Sequence, residues 1–199
     1  MHDAAFAEAA VQSPAYILKR PLRPYSVGHE LFLQGRRNAL VGGDLAAIRP
    51  FHIWEAVLIC EHSWREIRHL GMDPLIGLKF RIWGWRARKE SLEVAIADFI
   101  NYRRAGSSFP PTDPPDSSGR EAGSPVMARL IQFLIAYLGK TEEQAHDYPF
   151  GLANWHFATW LETQGTLKIL NEAELDFEKF CREQEEQRIA KAKEAPCRP

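Results

Sequence analysis

Imidazole is the side chain that brings metal ligation or proton transfer within reach of neutral pH, and this chain carries seven histidines. His62 and His69 stand seven residues apart on an expected helix, so both can face one side, with Glu55 and Glu66 close in sequence. Two turns separate them by about 10 Å along the axis, too far for both to hold one zinc ion. His29-Glu30 begins as HExxH does, but Leu33 stands where the second histidine belongs. For His29, His52 and His156 the expectation is the role most histidines have, structural, hydrogen-bonded at a helix surface or packed beside aromatic rings, with metal binding as the alternative. Cys60, between Ile59 and the Leu58 stripe, reads as a small buried hydrophobe rather than a nucleophile. GxSxG, P-loop and GxGxxG patterns are absent, and Gly42, Gly43 and Asp44 read as a turn. The residues therefore predict a non-enzyme with no catalytic centre, cofactor or metal site. A metal-dependent hydrolase assembled from histidines distant in sequence is the enzymatic alternative.

The sharpest local pattern lies between 79 and 89. Lys79, Arg81, Arg86, Arg88 and Lys89 interleave with Phe80, Trp83 and Trp85, and no acid intervenes. Cations that hold phosphates beside rings that stack on bases are the means by which single strands are bound. On a helix, however, Leu75, Leu78, Ile82 and Trp85 form a buried stripe whose basic neighbours extend to water. Six tryptophans exceed what a small helical core requires, and Trp155 and Trp160 cannot point the same way. Tryptophan is enriched at binding hot spots, so these two are the candidate protein interface.

The elements that must position these residues are helical. Tyr16 to Tyr25 holds Pro21 and Pro24 and is expected as an extended lead. Ser26 caps a short helix through Leu31 and Leu33, with Gly35 available as a left-handed stop. Asp44 can cap a segment running to Leu70, with Pro50 in its first turn and Trp54, Val57, Leu58, Trp64 and Ile67 on one face. Asp73 and Pro74 open the next helix. One from about Ser91 buries Leu92, Ile96, Phe99 and Ile100 and ends near Gly106.

Residues 107–124 are so dense in Ser, Pro, Gly and Asp that they read as a flexible linker. Beyond it, Pro125 opens a helix that Gly139 closes, Thr141 caps a short one, and Pro149 starts another that Gly165 ends. Asn171 to Ala195 reads as a solvated, charged terminal helix. The expected fold is all-α, with helical lobes at 1–106 and 125–199 joined by 107–124.

Composition sets outer limits. A chain of 199 residues with 45% hydrophobic content can bury a substantial core. The net charge of −1 supplies no global attraction to nucleic acid or an anionic membrane, although 15 basic and 11 acidic residues through Ala105 give way to 10 and 15 beyond it. Cys60, Cys181 and Cys197 are too scattered for a disulfide framework, which favours a reducing cytoplasm. No apolar run approaches the roughly 20 residues of a membrane helix, and the first thirteen residues lack a secretory pattern.

Two stretches carry a resemblance. Leu22-Arg23-Pro24-Tyr25-Ser26-Val27-Gly28-His29-Glu30-Leu31, followed by Ala56-Val57-Leu58-Ile59-Cys60 and Trp64, resembles the opening of small helical proteins encoded among tailed-phage and prophage structural genes. Leu138-Gly139-Lys140-Thr141-Glu142-Glu143-Gln144-Ala145, then Asp147-Tyr148-Pro149 and a helix reaching Glu162-Thr163-Gln164-Gly165, resembles phage tail assembly chaperones. The resemblance implies a non-catalytic assembly factor in the host cytoplasm that binds a tail structural protein, the tape-measure or tube protein. It places no family functional residue on a numbered position. The single-strand-binding protein and the hydrolase stand as alternatives.

Overall fold

Prolines 21 and 24 hold their segment extended, and the chain uses that extension to turn back on itself. In the computed structural model, which describes residues 6–7, 9–11, 14–43, 45–70, 92–113, 124–170 and, near the end, 174–177, 179–180, 182–184, 186 and 188, Ala15–Ile17 (β1) pairs antiparallel with Arg20–Leu22 (β2). This two-stranded hairpin corrects the all-helical expectation, although helices dominate the described chain. Its turn residues, Leu18 and Lys19, have φ of 51° and 60°. Left-handed backbone at both central positions is the turn that matches strand twist, ordinarily built from Asn and Gly. Here burial of Ile17, Leu18 and Leu22 in the core offsets the backbone cost.

Val27–Gly35 (α1) begins where Ser26 and His29 cap each other. The Ser26 hydroxyl accepts the His29 N–H at 3.3 Å, and His29 Nδ1 accepts the Ser26 N–H at 3.1 Å. Imidazole thus takes the place that Glu or Gln fills in the usual capping box. Gly35 is not the left-handed stop the sequence suggests; that conformation falls on Arg37, at φ 54°. Buried Asn38 fixes the exit, donating its N–H to Leu33 O and capping Ala39–Gly42 (α2) through Leu40 N.

A 3₁₀ turn at Leu45–Ala47 leads to Pro50–Cys60 (α3), with proline in the first turn as expected. The segment does not run on to Leu70 as one helix. It breaks at 61–63, and Trp64–Leu70 (α4) starts afresh where Ser63 and Glu66 cap each other: Ser63 N–H donates to Glu66 Oε2 at 2.7 Å, and Glu66 N–H reaches Ser63 Oγ at 3.5 Å. Leu92–Gly106 (α5) turns Ala95, Phe99 and Tyr102 inward, while Leu92, Ile96 and Ile100 are half-buried. Val126–Ala136 (α6), Glu142–His146 (α7) and Phe150–Thr163 (α8) match the expected segments, and Gly139 and Gly165 adopt φ of 62° and 68°. Asp44, the expected helix from Asp73, and 114–123 of the expected linker lie outside the described residues. Residues 111–113 are pinned to 168–170 by backbone hydrogen bonds.

Two apolar clusters result. One gathers the hairpin, α3, α4 and α5 around Leu33, Ile53, Val57, Ile67 and Phe99; the other gathers α6, α7 and α8 around Val27, Leu130, Leu134 and Ala153. Helix α1 contributes to both. Beside it, Phe150 N–H donates to Tyr25 O at 2.8 Å and Val27 N–H donates to Tyr148 O at 3.0 Å, flanking a Ser26–Pro149 bridge. Pro149 fits there because the neighbours make both ladder bonds, so its missing N–H is not needed.

Glu30 of α1 is 2% exposed. Its Oε1 accepts from Arg103 Nη2 at 2.8 Å and Gln34 Nε2 at 2.8 Å; its Oε2 accepts from Arg103 Nε at 3.0 Å and from the Tyr25 hydroxyl. Burial pushes this carboxyl up, but the bonds from Arg103, Tyr25 and Gln34 outweigh burial and hold it below its ordinary range. Removing one partner of such a pair leaves a buried charge unmet, at a cost of about 3–5 kcal/mol. Arg103→Ala is expected to lower the unfolding free energy at pH 7 by about 3 kcal/mol in urea titration, near the low end because Arg103 is itself 29% exposed. Arg103→Met combined with Glu30→Gln is expected to recover part of that loss. A wild-type midpoint for Arg103→Ala would show that the pair contributes nothing net.

Candidate functional site

The polar residues that drew attention in the sequence fall mainly into structural positions. His29 is fully enclosed, with Nδ1 on Ser26 N–H and Nε2 donating to His62 O at 2.9 Å, so neither nitrogen retains a lone pair for a metal. His52 Nδ1 accepts the Arg49 N–H at 2.9 Å at the start of α3. His62 lies in the turn before α4 and bonds Leu58 O through Nδ1 at 2.8 Å, whereas His69 is exposed on α4; the two do not share a helix. Glu55 is buried against Arg36 and Asn38, each at 2.9 Å, and Glu66 serves as a cap. His156 faces Phe6 and Tyr148 with ring centroids 6.1 and 6.3 Å away. Among the described residues, no group of three or more His, Cys, Asp or Glu could hold a metal ion. Cys60 is fully buried and burial pushes its thiol far up, which keeps it protonated and unreactive.

Around α1 these groups build a close-packed junction. The Trp64 ring stacks on His146 at 4.1 Å and 10°, and Trp64 N–H donates to Asp147 Oδ1 at 2.7 Å. Gly28 lies directly beneath: a Cβ there would stand 2.8 Å from the Trp64 ring and 2.9 Å from His146 O. A backbone oxygen cannot swing aside as a flexible side chain can, so this approach requires glycine.

A different surface is open. Between α6 and α8 runs an apolar groove of about 490 Å³, floored by Phe133 and Phe157, walled by Tyr137, Trp160 and Leu161, and rimmed by Arg129. Trp160 lies 4.8 Å from Tyr137, 5.5 Å from Phe133 and 5.9 Å from Phe157 between ring centroids. Tyr137 is 61% exposed. This groove, bordered by Arg129 and lined by aromatic rings, is the candidate functional site. The sequence indicated Trp160 but did not single out Tyr137. The pointer it contained is the Phe133–Tyr137 spacing, one turn apart at the end of α6, where a buried stripe runs out to the surface.

Trp155, the other expected interface residue, is buried instead, edge-on to Phe6 at 5.9 Å. Trp54 and Trp64 are half-buried. Lys79, Arg81, Trp83, Trp85, Arg86, Arg88 and Lys89 lie outside the described residues. No helix among the described residues is long and apolar enough to cross a membrane.

Comparisons with protein families, curated proteins and solved structures return no match to this chain.

The His29 cap makes stability depend on pH. Burial lowers its pKa from 6.5 to about 4, outweighing the hydrogen bond to His62 O that favours the charged ring. The unfolded chain thus takes up the proton first, so the contribution is complete above pH 6.5 and is lost as pH falls toward 4, roughly 3 kcal/mol in all. His156, lowered by burial and by Lys140, adds in the same direction. Glu30, held below 4.5, adds only below that pH. Urea midpoints measured between pH 7 and 5 should fall, and His29→Gln, which retains a cap acceptor, should flatten the slope. An unchanged slope in that variant would place the dependence elsewhere.

Proposed function

We propose that the protein is a non-catalytic assembly factor of a tailed phage or prophage that holds an apolar segment of a tail structural protein in the α6–α8 groove. The observation that carries the docking part is the groove itself: four aromatic rings converge on a surface that the described residues leave open. Amphipathic helices are held in such grooves by a few large side chains, and tryptophan and tyrosine serve as anchors because they bury much area with few rotatable bonds. The phage part rests on the resemblance. The two stretches that carry it lie against each other in the fold, through the Tyr25–Val27 pairing with Tyr148–Phe150 and the stack of Trp64 on His146.

The test is affinity purification of the tagged protein from its native host with the prophage induced, followed by mass spectrometry. Tape-measure or tail-tube protein is expected to co-purify, and its loss from Trp160→Ala and Tyr137→Ala variants would locate the contact. Each substitution should weaken binding by roughly tenfold or more, as removal of an interface anchor does. Absence of any tail protein would count against the assembly role.

A second reading rests on the sequence pattern at 79–89, with its five cations and three aromatic rings. Under it, affinity for single strands falls steeply as salt rises, and Arg86→Ala with Arg88→Ala reduces that slope. A slope that the double variant leaves untouched removes this reading.

A further inference from the structure

We infer that the groove of one chain takes Phe177 and Phe180 of a second copy, forming a reciprocal dimer. This rests on the reading of the groove as a docking surface and names its occupant when no partner is present. The two halves of the contact are both exposed on the same molecule. Described residues from 174 to 180 are helical, and Phe177 and Phe180, three apart on one face, are 67% and 56% exposed. Neither ring lines the groove of its own chain, while Trp160, Tyr137, Phe133 and Phe157 present the aromatic surface against which phenyl rings pack edge-on or offset.

Charge fits the same assignment. From 172 to 186 the sequence has seven acidic and two basic residues, whereas among the described residues lining the groove the charged one is Arg129, exposed on α6. Opposite charges at the edge of an apolar contact steer encounter and fix its register. The start of the segment is held to its own body, since Lys168 pairs with Glu174 just beyond buried Leu170. Beyond it, both phenylalanines are exposed to solvent. Two such contacts related by a twofold axis bury both pairs of phenylalanines and cover both grooves, which makes the assembly closed.

Sedimentation equilibrium of the full chain tests this. A dimer is expected, weakened by salt, and Phe177→Glu with Phe180→Glu should raise its dissociation constant by roughly tenfold or more. Arg129→Glu with Trp160→Ala should do the same. Mixed together, the two variants should form a heterodimer through the one intact segment and the one intact groove, which two misfolded chains cannot do. A wild-type monomer overturns the inference, as does a dimer indifferent to both sets of substitutions. A monomer in which the phenylalanine substitutions alter Trp160 fluorescence also overturns it, because the segment then covers its own groove. A monomer that still captures the tail protein through Trp160 leaves the docking reading intact; a groove that takes neither ends both.

Discussion

A carboxylate removed from water must find its compensation inside the protein, and Glu30 imposes that demand on the middle of this fold. Its two oxygens take four hydrogen bonds, two from Arg103 and one each from Gln34 and Tyr25. Gln34 is one turn along α1, but Arg103 lies on α5 and Tyr25 precedes the helix. Meeting the charge therefore fixes the rotation of α1 against α5 and draws the segment between β2 and α1 down beside them. Tyr102, next to Arg103, adds a 2.6 Å bond to Arg23 O and ties the same segment to the same helix. Burial pushes the hydroxyls of Tyr25 and Tyr102 up, so both remain donors.

The consequence passes through α1 to the rest of the chain. Because its rotation is set, Val27 points into the second cluster while Leu33 points into the first. Gly28 is then presented to the Trp64–His146 stack, where only a hydrogen atom fits. The short pairing with 148–150 sets where α8 begins, and α8 with α6 forms the groove. A rigid interior thus holds an aromatic surface in place, and a preformed surface loses less conformational entropy when it binds.

This organisation also explains why the polar residues of the sequence read poorly as chemistry. His29, Glu30, Glu55 and Glu66 hold helix ends and helix pairs together, each through hydrogen bonds to other groups of the fold. An accessible aromatic surface lies apart from them, on the faces of α6 and α8, and its character is apolar.

The sequence by itself determined the positions of most described helices, because local signals suffice there: Ser26, Thr141, Pro50 and Pro149 open helices, and Gly139 and Gly165 close the segments expected of them. It missed the break before Trp64, although the Ser63–Glu66 cap is written in adjacent residues, since the apolar period continues across it. Only the tertiary structure decided the hairpin at Leu18 and Lys19, the left-handed residue at Arg37 rather than Gly35, and the burial of Trp155 beside the exposure of Tyr137. Those outcomes turn on contacts between residues far apart in the chain. A backbone strain can be offset by a distant core, and an aromatic side chain is covered or left open according to which helix arrives beside it.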